Sequence, residues 1–253
     1  MKISEIINEA QVKPYTKEEL DLSKLNEFLE KNCSDAYNYS PPVLWGGFRV
    51  ERNGSHAKPW LIDPSSGERR SENTMNGSNQ YTLIMDNSPY LKNYPKRSKS
   101  FIGSTSFTVA RSYGEPCAIF PVNGTKIAVC PYMDLWDTKL DLRPVGGPQK
   151  GGIDAINYYL SELGFDQKTY GDLVAYGNNP KTQEFIDTTH YIREENKIPA
   201  NKIISYLQEQ LSPDQAGFKL LDISQLGEDE FNKEIWFSGP CVVVPYEIYK
   251  ELK

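Results

Sequence analysis

Histidine is nearly missing from this chain, which has only His56 and His190 in 253 residues. Neither lies in a recognisable nucleophile–base motif, so nothing points to transfer through a Ser–His or Cys–His pair. Cysteine is scarce too. Cys33, Cys117, Cys130 and Cys241 form no C-x-x-C pair, which argues against zinc. Cys117, Cys130 and Cys241 sit in or beside apolar runs and are expected to be reduced core residues, which points to a cytosolic compartment. No apolar run approaches the roughly 18 residues of a membrane span. The opening MKISEIINEA is amphipathic and acidic, unlike a secretory leader. Positive charge is in deficit. A net charge of −6 speaks against wholesale coating of nucleic acid and leaves room only for a local basic patch.

Aromatic residues are plentiful. Sixteen tyrosines, 12% aromatics and 38% hydrophobic residues describe a folded chain. Its length suits one large domain or two small ones.

The hydrophobic pattern predicts a helix after Thr16, where Thr16 and Glu19 spell a capping box and Leu20, Leu25, Phe28 and Leu29 form a stripe. VLWGGFRV (43–50) reads as a strand. Gly46 and Gly47 would weaken an ordinary strand, so they suggest a bulge or a close backbone approach. Residues 52–80 read as polar loop, with a helix as the alternative for their later part, and 81–87 as helix or strand. AIFPV-NG-TKIAVC (118–130) predicts a hairpin turning at Asn123-Gly124, with Pro121 placing its first run at an edge or bulge. Pro and Gly clusters mark 139–152 as a linker. From Ile153 to about Leu211 the pattern is helical. KEIWF, a Ser238-Gly239-Pro240 turn and CVVVPY then predict a second hairpin, followed by a short helix. The expected class is α+β, a core interrupted by a helical insertion.

Three features invite a common explanation. Arg49 follows the glycine pair. Lys96 and Arg97 precede a strand ending in the hydroxyl triplet Ser104-Thr105-Ser106, after which FTVARSYG reads as a helix. Glu234 opens the last strand pair. In this order the three segments resemble the ADP-ribosyltransferases of the arginine-serine-glutamate class, in which a first-strand arginine, an S-T-S motif and a late-strand glutamate converge on NAD. The resemblance spans about a quarter of the chain, and the S-T-S segment is its most specific part. The family carries its arginine directly before a glycine. Here Gly46 holds that register and Arg49 comes three residues later, so Arg97 and Arg111 are the other candidates for the cation.

The resemblance implies a mixed or antiparallel split β core of the ADP-ribosyltransferase type, with an N-terminal helix and a helical insertion at about 153–215. Residues 1–15 would be an arm and 16–253 a single domain. It implies NAD as substrate and no metal. Glu234, Ser104 and Arg49 would be catalytic, and Arg49, Gly47, Ser104, Thr105, Ser106, Phe107 and Tyr113 would bind the cofactor. The residue types suit the chemistry. Cleaving the nicotinamide–ribose bond builds positive charge on the anomeric carbon, which a carboxylate stabilises. A serine hydroxyl both donates and accepts, so it can hold a ribose and orient the glutamate. A guanidinium fork fits phosphate oxygens, and glycine lets a cofactor lie against backbone.

Arginine-directed members also carry an acidic residue two positions before the glutamate. Asn232 stands there, and an amide cannot take a proton from a guanidinium, so an acceptor other than arginine is expected. Glu230 would share that face if the strand extended back. The acceptor itself, whether protein, nucleic acid or small molecule, stays open, and no membrane partner is expected. The N-terminal tag, with Ile7-Asn8-Glu9 before Ala10, resembles the cleaved tags of internal head proteins of tailed bacteriophages. That implies carriage in the phage head and action in bacterial cytoplasm. A non-enzymatic phage head protein or host inhibitor with a degenerate site, and an NAD glycohydrolase, are the competing readings.

Overall fold

The computed structural model describes residues 17–38, 44–48, 58–66, 73–74, 77–78, 80–145 and 200–252. In chain order its elements are β1 (Lys17–Glu19), α1 (Leu25–Asn32), α2 (Ser34–Tyr37), β2 (Leu44–Phe48), β3 (Trp60–Ile62), β4 (Asn73–Thr74), β5 (Gly77–Ser78), α3 (Gln80–Asp86), β6 (Phe101–Ser104), α4 (Phe107–Tyr113), β7 (Glu115–Pro121), β8 (Lys126–Val129), α5 (Ala200–Gln210), α6 (Pro213–Ala216), β9 (Lys219–Asp222), β10 (Glu234–Phe237), β11 (Cys241–Pro245) and α7 (Tyr246–Leu252). The class is α+β, and every described strand pairing is antiparallel. The chain divides into two compact units. One comprises Met1–Arg70, Tyr94–Met133 and Phe218–Lys253; the other comprises Ser71–Asn93 and Asp134–Gly217.

In the first unit nine strands run in the order β1-β3-β11-β7-β2-β6-β10-β8-β9. The joint between β2 and β6 is narrow, a single register pair of Trp45 with Ser104. Gly103 makes this approach possible, because a Cβ there would stand 2.5 Å from the Trp45 carbonyl oxygen. Side-chain alternation sorts the strands between two cores. Cys117 and Ile119 of β7 and Cys241 and Val243 of β11 enter one cluster, which also holds Ile127, Val129, Ile235 and Phe237. Strands from both ends of the order thus share one core, so the sheet curls over it. Ala118, Phe120, Val242 and Val244 enter the other cluster, beneath Leu25 and Leu29 of α1 and Tyr246 and Tyr249 of α7. Each such fully buried aliphatic side chain contributes about 1.5–3 kcal/mol.

Neither predicted hairpin pairs with itself. β7 lies between β11 and β2, while β8 lies between β10 and β9. β10 and β11 are likewise apart. Both short connections instead cross from one half of the sheet to the other, and they meet where Val122 N donates to Pro240 O at 3.1 Å. The Asn123 side chain is held by Ser34 and by Asp35 N, and the Asp35 carboxylate takes the Gly124 N–H. These tertiary partners replace cross-strand ones. Pro121 closes an interior strand, at the end of its pairing with β11.

The N-terminal helix starts later than the capping-box pattern predicts. Residues 17–19 pair with β3 as an edge strand, Asp21 caps a 3-10 turn, and α1 begins at Leu25. Thr16 lies outside the described residues. Trp60–Ile62, expected as loop, is a strand between β1 and β11. All four cysteines are buried free thiols, Cys33 included. Burial, aided by Asp35, pushes the Cys33 thiol up to about 12, and burial also raises Cys241.

In the second unit β4 and β5 pair with each other. Ile203 and Leu207 are buried on one face of α5, as is Leu211 just beyond it, four-residue steps that keep them on one stripe. Tyr81 of α3 meets Trp136 edge-on at 5.2 Å. The Tyr206 hydroxyl donates to the Asp141 carbonyl at 2.5 Å. Most of the expected insertion, residues 151–199, lies outside the described residues, as do His56, His190 and the N-terminal segment with its Ile7-Asn8-Glu9 triplet.

Candidate active site

Glu234 is the first residue of β10 and stands directly opposite Ser104, the last residue of β6. Directly paired residues of an antiparallel ladder share a face, with Cβ atoms about 4.5–5.5 Å apart. Trp45 faces Ser104 from the other side. Trp45, Ser104 and Glu234 therefore form a transverse row across β2, β6 and β10, at the narrow joint of the sheet. Arg49 follows the end of β2 but lies outside the described residues.

The hydroxyl triplet is buried throughout. Ser104 Oγ donates to the Lys233 carbonyl at 3.1 Å and accepts from Ser106 N at 3.0 Å. A hydroxyl has two lone pairs, so one acceptor position remains for a further donor. Thr105 Oγ1 donates to the Glu230 carbonyl at 2.6 Å and accepts from Lys233 N at 2.9 Å. Ser106 is the N-cap of α4 and accepts from Val109 N at 3.5 Å. Thr105 and Ser106, expected among the cofactor-binding residues, thus have hydroxyls engaged in the fold. Thr105 ties β6 to the turn that delivers Glu234, and Ser106 starts the helix.

The glycine pair answers to packing. A Cβ on Gly47 would stand 2.3 Å from the Ala110 carbonyl oxygen and 2.8 Å from Tyr113 Cβ. The close approach predicted for this position is made by α4, with Ala110 on its buried side. A Cβ on Gly46 would meet the Phe101 ring at 2.5 Å. Phe107 packs edge-on against Trp45 at 5.0 Å and against Tyr246 at 4.7 Å. Tyr113 stands 61% exposed at the end of α4, and Arg111 is exposed on the same helix.

The cation at the glutamate is Arg97. Its Nη1 donates to Glu234 Oε1 at 2.5 Å, in a pair where Arg97 is 4% and Glu234 7% exposed. Its guanidinium carbon lies 5.7 Å from the Trp236 ring centre. Asn232 does not continue the strand. It sits in the turn before β10 with φ of 57°, a left-handed conformation that asparagine adopts more readily than most residues. Glu230 lies in a 3-10 turn, its carboxylate bound by Lys219 Nζ at 2.8 Å and Gly227 N at 2.9 Å. Burial alone would raise its pKa, but the bonds from Lys219 and Gly227 leave it below the usual carboxylate value. It is therefore engaged away from the face of Glu234 that an extended strand would have given it.

The sequence offered no signal for the surface beside Glu234. Tyr132, Met133 and Phe231 are exposed, Phe231 by 57%, on two loops that meet there. Glu234 N donates to Tyr132 O at 3.0 Å, and Lys233 Nζ donates to Pro131 O. Among the described residues no group of three or more His, Cys, Asp and Glu side chains converges as a metal site would. None of their helices is long and apolar enough to cross a membrane. No family model, curated protein or solved structure matches the chain.

Proposed function

We propose that this protein is an NAD-dependent mono-ADP-ribosyltransferase, a phage effector that modifies a host macromolecule and releases nicotinamide. The observation that carries this reading is the pairing of Ser104 with Glu234 on one face of neighbouring strands. In the proposed reaction the bond between the anomeric carbon and the nicotinamide nitrogen breaks. The bonding pair leaves with nicotinamide and cancels its ring charge, and the ribose becomes an oxocarbenium ion. The Glu234 carboxylate stabilises that cation by accepting from a ribose hydroxyl. Ser104 accepts from the neighbouring hydroxyl and fixes the sugar. The acceptor nucleophile then bonds to the anomeric carbon and gives its proton to solvent or base. Arg49, three residues beyond Gly46, is assigned to the diphosphate.

With an amide at Asn232, the site is matched to acceptors other than arginine. Exposed Phe231, Tyr132 and Met133 supply an apolar margin for such an acceptor. The N-terminal triplet supports carriage in the phage head before action in the bacterial cytoplasm. The ion pair between Glu234 and Arg97 favours a second reading, a non-enzymatic host inhibitor or head protein with a closed site. Incubation with adenylate-labelled NAD and a bacterial lysate separates them. Label on a macromolecule, lost in Glu234→Gln, supports transfer. Free ADP-ribose alone makes the protein a glycohydrolase, and no NAD consumption leaves the non-enzymatic reading.

A further inference from the structure

We propose that Arg97 is a positioning residue for Glu234, an inference that rests on the transferase reading. The argument starts from the turn that carries it. Lys96 O accepts from Lys99 N at 2.9 Å and from Ser100 Oγ at 2.8 Å, and Arg97 O accepts from Ser100 N at 3.2 Å. The 3-10 turn Arg97–Lys99 is thereby locked at the entrance to β6.

The side chain then has a floor and a target. Trp236 and Glu234, two residues apart on β10, share a face. Trp236 Nε1 donates to Pro95 O at 3.1 Å, which fixes the indole against the same segment that carries Arg97. The guanidinium lies over that indole and reaches one carboxylate oxygen, Oε1. Ser104 faces Glu234 from the neighbouring strand. The carboxylate is therefore held by a pre-set cation on the strand face that Glu234 shares with Ser104.

Such a pair does two things for a group that must meet a developing cation. It favours the charged form of a buried carboxylate, and it restricts the side chain to one orientation before substrate arrives. Misplacement of a catalytic group by about 1 Å costs on the order of 100-fold in rate. This role differs from the phosphate-binding one that the sequence left open for Arg97. It predicts an effect on turnover and not on affinity for NAD.

The test is steady-state nicotinamide release by the full chain, compared among wild type, Arg97→Lys and Arg97→Met. The carboxyl carbon resonance of Glu234, assigned by its loss in Glu234→Gln, is followed in the same variants at neutral pH. The expected result is a fall in kcat of about 10- to 100-fold in Arg97→Met, with KM for NAD within about twofold, and substantial recovery in Arg97→Lys. The resonance should move in Arg97→Met and return in Arg97→Lys. A raised KM with kcat intact would make Arg97 a phosphate ligand and overturn the proposal. Equal losses in both variants that track thermal stability, with the resonance unmoved, would make the pair purely structural and overturn it as well. If wild type releases no nicotinamide while the resonance behaves as expected, the transferase reading fails and the arginine still orients the carboxylate.

Discussion

Ser104 and Glu234 occupy directly facing positions on β6 and β10, and Ser104 Oγ is bonded to the carbonyl of Lys233, the residue before that glutamate. Ser104→Ala removes this bond and strands the buried Ser106 N–H that the hydroxyl accepts. On the proposed transferase reading, the expected loss of nicotinamide release is about 10- to 100-fold, the size of one bond to a charged group or its neighbour. A stability loss of about 1–3 kcal/mol should accompany it in denaturant melts.

The Arg97–Glu234 pair is buried, so its two halves should be strongly coupled in stability. Arg97→Met and Glu234→Met, each alone, leave a lone buried charge and should cost about 3–5 kcal/mol. The double variant should recover much of that, because two apolar side chains replace the pair. A double-mutant cycle by urea unfolding measures the coupling. Additive effects would show that the pair contributes nothing of its own.

Gly47→Ala is expected to destabilise by about 1–3 kcal/mol through overpacking. The new methyl group would meet backbone and Cβ atoms of α4, none of which can swing aside. Thermal melts should show a fall of several degrees, and Gly124→Ala makes a useful contrast. A Cβ there meets nothing within 4 Å, but the φ of 79° strains the turn instead.

Glu230 predicts part of the acid response. Its pKa is lowered in the folded state by Lys219 and the Gly227 N–H, against the opposing effect of burial. A carboxylate with a depressed folded pKa contributes stability above its unfolded value, about 4.3, and loses it as pH falls through the lower folded value. Stability measured from pH 6 down to pH 3 should therefore decline less steeply in Glu230→Gln than in wild type. A parallel decline in both would assign the acid loss to other groups.

The strands around residues 44–48, 115–129 and 234–245 and the helix after the triplet were legible, because β-rich apolar runs bounded by turn residues and an N-cap serine are local signals. Pairing was not. Asn123-Gly124 and Ser238-Gly239-Pro240 are turn sequences that suit a hairpin, but nothing local reports that Val122 and Pro240 bond to each other instead. Residues 17–19 kept a capping-box pattern and still became an edge strand, since the free edge of β3 lies beside them. At the site, the facing of Ser104 and Glu234 across β6 and β10 was expected only from the family resemblance, since no local signal pairs the two segments. The ion pair of Arg97 was invisible, because no periodicity links partners so distant.

That distance has a kinetic consequence. Arg97 and Glu234 are separated by 137 positions, and β10 must insert between β6 and β8, both made long before it. Closing so large a loop is slow. During synthesis β6 and β8 would wait for β10 before the carboxylate could reach Arg97, so a product that stops short of β10 should lack the pair. Regain of the buried pair after dilution from denaturant should be among the last events of refolding.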